Sequence, residues 1–294
     1  MISLIISTRD RWSSLAACLD RARQLRPPPG GWQLVVVDNG STDSTPSGLD
    51  SLRSGGPEIL VVSEPVPGLA RARNAGVAGS AGEILAFTDD DCYVAPDLLL
   101  RIGERFLDPS LGYLGGKILL HDETDARVGV TGLDAPLLLA PGSIVPPGVI
   151  QGANFAIRRE ALADAGGFDP GLGPGTPFNC EDVDCVCRVS AAGWAGGFFP
   201  EIVVHHHHRR KPGSRELDRL LRSYARGRGA YYAKLLHDGR LGRGDLLNLA
   251  RTLGATVRSG KIEEAALEIF GGCHYTLSRM IRAARPPMPS GSAK

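Results

Sequence analysis

The sequence predicts an α/β fold: a Rossmann-like, mostly parallel central sheet flanked by helices, followed by an α-helical C-terminal extension. Three observations predict it. Short apolar, β-branched runs alternate with segments of helical period up to residue 91. Each run ends in polar residues, as expected where a ligand meets the carboxyl ends of parallel strands. After residue 208 the apolar spacing turns helical throughout, and the charge changes sign.

In chain order, "SLIIST" (3–8), "LVVVDN" (34–39), "EILVVS" (58–63) and "EILAFTDDD" (83–91) read as strands. Between them, "WSSLAACLDRARQL" and "GLARARNAGVAGSAG" place apolar or small residues at helical spacing. Strand–helix alternation of this kind specifies parallel strands covered on both faces. From about residue 112, Gly- and Pro-rich pieces such as "LLLAPGSIVPPGVIQGANFAIRREAL" loosen the pattern. That stretch is expected to build the second half of a site from mixed strands and a loop. "RREALADAGGF" reads as a short helix ended by glycine. Beyond His208, "RELDRLLRSYARGRGAYYAKLLHDG", "GDLLNLARTLGATVRSG" and "KIEEAALEIFGGCHYTLSRMIRAAR" read as three amphipathic helices, and "PPMPSGSAK" as a disordered end. The expected organisation is a catalytic domain over 1–208, a basic helical extension over 209–285 and a tail over 286–294.

The 294 residues are 43% hydrophobic, ordinary for a globular chain with a buried core. A net charge of +1 hides an asymmetry: residues 1–208 hold 15 Lys and Arg against 25 Asp and Glu, whereas 209–294 hold 18 against 7. A basic tail admits three readings: a solvated helical cover or homo-oligomer interface, contact with an anionic membrane surface, or nucleic acid, for which no motif is present. "MISLIISTRDR" reads as a first strand rather than a signal peptide, and no run approaches the roughly 18 apolar residues of a membrane span. The expected location is cytoplasmic, with a peripheral place at the inner face of a membrane open to the tail. The six cysteines lack paired spacing and read as core thiols.

"FTDDDCY" sets three carboxylates, Asp89, Asp90 and Asp91, at one strand end. Their mutual repulsion calls for a hard divalent cation, Mg²⁺ or Mn²⁺, held by one or two carboxylates and by phosphate oxygens of a diphosphate-bearing ligand. Strand alternation puts Asp89 and Asp91 on one face. "VVVDNGSTDST" ends the second strand at Asp38, placed to accept hydrogen bonds from a base or ribose. "GLARARNAG" offers Arg71 and Arg73 as cationic partners for phosphate. Four consecutive histidines, His205 to His208, follow "PEIVV" well inside the chain, where an expression tag is not expected. Alternation gives His206 and His208 one face and His205 and His207 the other.

In their order, "IISTRDR", "VVVDNGSTDST", "GLARARNAG", "GEILAFTDDDC", "GANFAIRREALADAGGFDPGLG", "CEDVDCVCRVSAAGW" and "PEIVVHHHH" make the chain resemble the inverting family 2 glycosyltransferases of GT-A fold, over residues 2 to 208. The resemblance implies a donor nucleotide at Thr8 and Asp38, with Arg11, Arg73, Asn74, Asp89 and Asp90 nearby and Gly152 and Asn154 contributed by "GANF". It implies a D-x-D motif at Asp89 and Asp91, with Asp91 on the metal. It implies a Glu-Asp pair at Glu181 and Asp182, with Asp182 as catalytic base, while Asp184 points elsewhere. A late-strand histidine completes the metal site; counting from Pro200 gives His206, with His208 as the alternative. The implied reaction is metal-dependent transfer of a sugar from a nucleoside-diphosphate sugar, a UDP-sugar first with dTDP or GDP carriers as alternatives, by single displacement to a hydroxyl of a glycan, lipid-linked or small-molecule acceptor. Two other readings stand beside it: a metal-dependent nucleotidyltransferase, whose Gly-rich phosphate loop "STRDRWSS" does not supply, and a non-catalytic carbohydrate-binding or scaffold relative.

Overall fold

The computed structural model describes residues 1–52 and 59–283. The reading of 286–294 as a disordered tail lies outside them. The described residues form two compact units, one within Met1–Thr176 and Glu181–Asp218, the other Pro177–Cys180 with residues 219–283. The division thus falls after Asp218 rather than at residue 208.

The first unit opens with β1 (Ile2–Thr8), α1 (Trp12–Ala22), β2 (Trp32–Asp38), α2 (Thr45–Leu52), β3 (Ile59–Ser63), α3 (Leu69–Gly79) and β4 (Ile84–Asp89). β1 pairs in parallel with β2 and β4, and β2 with β3, as the strand–helix alternation requires. Val35, Val36 and Val37 of β2 and Leu4, Ile5 and Ile6 of β1 are almost entirely buried, the pattern of strands covered on both faces. α1 buries Leu15, Cys18 and Leu19 on one side of the sheet. α2 was not legible as a helix: "TPSGLDSL" carries Pro46 and Gly48 in a short run, and Pro is tolerated only because it sits in the first turn.

After β4 come β5 (Cys92–Val94), α4 (Leu98–Arg105), β6 (Leu111–Leu120), β7 (Leu137–Leu139), β8 (Phe155–Arg158), α5 (Arg159–Asp164), α6 (Glu181–Ala191) and β9 (Ala195–His206). The sheet runs β3-β2-β1-β4-β8-β6-β9-β5, with β7 on β9. Its second half is mixed: β8 is antiparallel to both β4 and β6, and β5 and β7 are antiparallel to β9, while β6 and β9 are parallel. The loosened sequence after residue 112 is this half. Register sets the site: Thr8 lies beside Asp38 and Ser7 beside Asp89, so the ends of β1, β2 and β4 line up where the strand order turns back. On the other side, Cys92 of β5 pairs with His206 of β9, which brings the histidine run to the acidic strand end.

The second unit holds most of α7 (Arg215–His237), with α8 (Arg243–Arg258) and α9 (Ile262–Ala283), close to the three helices expected. α7 and α9 meet backbone to backbone: a Cβ on Gly229 would lie 1.8 Å from the Glu268 carbonyl oxygen, and one on Gly271 2.1 Å from that of Arg226. Arg228 of α7 closes the contact with ion pairs to Glu264, at 2.5 Å, and to Glu268. Phe178 packs edge-on against Tyr275 and His274, and the Asn179 amide donates to Ser223, which fixes 177–180 to these helices.

Candidate active site

Just past the end of β4, Asp90 and Asp91 are buried and fully partnered, whereas Asp89, the last strand residue, is half-buried. Asp90 accepts a hydrogen bond from the Thr8 hydroxyl at 2.7 Å and pairs with Arg11 at 2.9 Å. Burial pushes its carboxyl up to about 7 against the pull of Arg11. Asp91 receives the other Arg11 nitrogen at 2.6 Å and lies 3.3 Å from His206 Nε2. Burial opposes ionisation of Asp91, but His206 and Arg11 together hold it well below the usual carboxylate range. His206 responds in kind: burial works against its cationic form, yet the Asp91 and Asp89 charges raise it above the ordinary histidine value.

His206 is aimed by a glycine. Its Nδ1 lies 3.3 Å from the Gly129 carbonyl oxygen, leaving Nε2 toward Asp91. Gly129 has φ +61, which favours glycine, and a Cβ there would stand 3.1 Å from the imidazole ring, so a side chain would press the ring aside by a few tenths of an ångström. Nothing in the sequence singled it out, because it sits in the irregular stretch between β6 and β7. His208 faces the same side, with its ring 5.0 Å from that of His206, but both its nitrogens serve the backbone. Nδ1 accepts from the Arg210 N–H and Nε2 donates to the Ala126 carbonyl, each at 3.0 Å. The structure therefore brings His206 to Asp91 and leaves His208 no lone pair for a cation. His207 and His121 lie on the other face, with His207 bonded to the Tyr93 hydroxyl at 2.9 Å.

A side-chain carboxylate oxygen of Asp91, His206 nitrogen and Cys92 sulfur all lie within 4.8 Å of one another. A carboxylate and an imidazole, completed by phosphate oxygens of a ligand, are a donor set that suits Mn²⁺ or Mg²⁺. The adjacent Cys92 is a buried thiol pushed well above its ordinary range by burial and by Asp89 and Asp91, which fits it to pack rather than to ligate. A second group, Asp122, Asp125 and His207, also converges, but Lys211 already bridges its two carboxylates at 3.0 and 2.6 Å.

A separate carboxylate pair opens α6. Glu181 is buried and pairs with Arg73 at 2.9 Å; burial and the neighbouring Asp182 charge push it up to about 7. Asp182 is more open. Its Oδ2 accepts the Gly152 N–H and its Oδ1 the Val183 N–H, both at 2.7 Å. Asp184, as expected, points away and pairs with Arg188 at 2.9 Å. Arg73 joins the two carboxylate groups: it is 3% exposed, and besides Glu181 it reaches the Gly152 carbonyl at 3.1 Å and Asp89 at 3.6 Å.

Other residues expected near a nucleotide are held by backbone. Asn74 makes a two-way clamp on Phe168 N–H and C=O, and the Asn154 amide donates to the Lys117 and Ile202 carbonyls, tying β6 to β9. Asp38 keeps one oxygen on the Ser41 N–H and stays half-open at the end of β2. The neighbouring loop is fixed by Asp10, at φ 54, whose carboxylate accepts the Thr42 and Asp43 N–H groups.

Residues 3–164 match the family model described as Glycosyl transferase family 2. Among curated proteins, an uncharacterized protein y4gI of Sinorhizobium fredii is 28% identical over 68% of this chain and 24% of its own length. Glycosyltransferase AglE of Haloferax volcanii is 25% identical over 69% of this chain and 65% of its own. The beta-monoglucosyldiacylglycerol synthase of Synechocystis is 26% identical over 67% and 41%. The chain thus spans from about a quarter to just under two thirds of the lengths of these relatives. Among solved structures, the mannosyltransferase PcManGT of Pyrobaculum calidifontis, in complex with GDP-Man and Mn²⁺, superposes with a TM-score of 0.64 at 21% identity, covering 96% of this chain and 84% of that one. S. aureus TarS 1-349 with UDP-GlcNAc follows at 0.56 and 17%, covering 80% and 71%. These likenesses are of fold, the GT-A arrangement of a central sheet flanked by helices. With the family model matching more than half of its residues, the chain belongs to glycosyl transferase family 2.

Proposed function

We propose that the protein transfers a sugar from a nucleoside-diphosphate sugar, a UDP-sugar foremost, to a hydroxyl acceptor with inversion at the anomeric carbon. The observation that carries this reading is the pairing of two carboxylate groups with different duties: Asp91 with His206 at the β4 end, and Asp182 at the start of α6, connected through Arg73. Two of the three curated relatives named above carry transferase or synthase names, and the two structures hold GDP-Man and UDP-GlcNAc.

In this reading Asp91 and His206 hold a divalent cation, Mn²⁺ or Mg²⁺, which when bound supplies Lewis-acid neutralisation of the leaving diphosphate. Arg11 sets a fixed positive charge beside the same carboxylates. Thr8, Asp38 and Asp89 line the strand ends where base and ribose rest. Asp182, with each oxygen oriented by a backbone N–H, takes the proton of the acceptor hydroxyl. That hydroxyl oxygen forms the new bond to the anomeric carbon as the bond to the diphosphate oxygen breaks. One base and one leaving-group clamp give a single displacement, and hence inversion. A pair of carboxylates flanking the sugar, as in glycoside hydrolysis, is not what Arg73-bound Glu181 provides.

A thermal-shift panel of UDP-, dTDP- and GDP-sugars, with and without Mn²⁺, tests the reading, since a ligand bound only by the folded state raises the melting temperature. A metal-dependent rise with UDP-sugars is expected. A flat panel would sink the donor assignment, and Asp182→Asn retaining wild-type transfer would sink the base.

A further inference from the structure

One guanidinium, that of Arg11, holds both buried carboxylates beyond β4. One of its terminal nitrogens is 2.9 Å from Asp90 Oδ1 and the other 2.6 Å from Asp91 Oδ2. The remaining two oxygens are engaged as well. Asp90 Oδ2 accepts the Thr8 hydroxyl at 2.7 Å, and Asp91 Oδ1 faces His206 Nε2 at 3.3 Å. Two of these three partners are fixed: Thr8 is 3% exposed, and the His206 ring is bonded to the Gly129 carbonyl through its other nitrogen. Arg11 is not fixed in this way. It stands at the N-cap of α1 with 40% of its side chain exposed, so its guanidinium can swing without opening the core.

Two cations therefore compete for one carboxylate. A divalent cation on Asp91 and His206 would share Asp91 with the Arg11 guanidinium, and like charges that close repel strongly where water is scarce. A diphosphate relieves the conflict, because the arginine fork matches phosphate oxygens as well as it matches carboxylate. The Asp90 bond supplies the pivot for that exchange. On the donor reading given above, we propose that Arg11 couples nucleotide to metal. It holds Asp91 in the free protein; the diphosphate draws it off that oxygen while it stays on Asp90, and Asp91 is then released to the cation. By linkage, nucleotide and metal strengthen each other by one common factor, over and above their direct attraction.

The test is the Kd of the full chain for Mn²⁺, read by electron paramagnetic resonance of free Mn²⁺, with and without saturating UDP. Without UDP, Arg11→Met should bind Mn²⁺ roughly fivefold or more tightly than wild type, the low end of ordinary coupling between sites. With UDP it should bind no more tightly than wild type. Arg11→Lys keeps the charge but not the two-pronged fork, and should shift in the same direction by less; melting profiles confirm that both variants fold. Arg9→Met, which removes a more exposed charge paired with Asp10 at 3.5 Å, should match wild type in both conditions. An equal gain with and without UDP would show that Arg11 only adds to the local field, and overturns the proposal. So does unchanged Mn²⁺ affinity without UDP in both Arg11 variants. Either of those results leaves the donor reading standing, whereas a wild-type protein that binds no Mn²⁺ with UDP present removes that reading and the proposal with it.

Discussion

His206 and His208 stand two residues apart on one side of the chain, yet only His206 keeps a ring nitrogen for a cation. The difference lies outside the histidines. The Gly129 carbonyl takes one nitrogen of His206 and leaves the other on Asp91, whereas Ala126 and Arg210 take both nitrogens of His208. Groups that orient a ligand commonly matter about 10–100-fold in metal affinity. With UDP present, His206→Ala should therefore weaken Mn²⁺ binding, read by electron paramagnetic resonance of free Mn²⁺, by tenfold or more. Gly129→Ala should weaken it in the same direction but less, because its φ of +61 strains the backbone and the added Cβ, 3.1 Å from the ring, displaces His206 slightly. His208→Ala should leave Mn²⁺ affinity in place and instead lower stability by about 1–3 kcal/mol, because a buried N–H and a buried C=O lose their partner. If His208→Ala costs metal affinity and His206→Ala does not, the assignment is reversed.

At the scale of elements, Arg73 of α3 joins the end of β4 to the start of α6. It is buried between Asp89 and Glu181, and its guanidinium lies 5.3 Å from the centre of the Phe155 ring. Removing one partner of a buried ion pair costs about 3–5 kcal/mol, because the other charge stays buried and uncompensated. Arg73→Met should show a loss of that order in urea unfolding, and Arg73→Met with Glu181→Met should recover much of it while sugar transfer stays lost. A single variant as stable as wild type would mean that the pair carries little. This joint also shows where the sequence stops being readable. β1 to β4 were legible because each strand is an apolar run with a helix behind it, and the register of their polar ends followed from the parallel pairing. β7 and β8 were not, being three and four residues long inside a Gly- and Pro-rich stretch whose pairing is decided by partners distant in sequence. The same holds for residues: Asp91, Asp182 and His206 carry signals of type and spacing, while the roles of Arg73 and Gly129 depend on contacts spanning 108 and 77 positions.

Over the whole molecule, these buried charges link stability to pH. Glu181 has a folded value of about 7 against 4.5 for the free group, raised by burial and by Asp182 despite the Arg73 charge. A raised value means that the folded protein binds this proton more tightly than the unfolded chain does. The resulting stabilisation is fully present below the unfolded value and is lost as pH rises through the folded one, between about 4.5 and about 7. The sign is opposite to that of Asp91, whose lowered value favours the fold as pH rises through the acid range. Near neutral pH the Asp91 contribution is already complete, and Glu181 shares the slope there with Asp90, likewise pushed up to about 7, and with the raised His206, so a comparison with a variant is needed to isolate it. Glu181→Gln keeps an amide oxygen toward Arg73 and removes the titration. The stability of wild type relative to this variant should therefore fall by at least about 1 kcal/mol between about pH 5 and about pH 8, since each unit of difference in pKa is worth about 1.4 kcal/mol. Urea unfolding of both proteins across that range measures it. A constant difference would mean that Arg73 holds Glu181 ionised throughout, and the buried pair would then act as a fixed strut between the two halves of the site rather than as a titrating one.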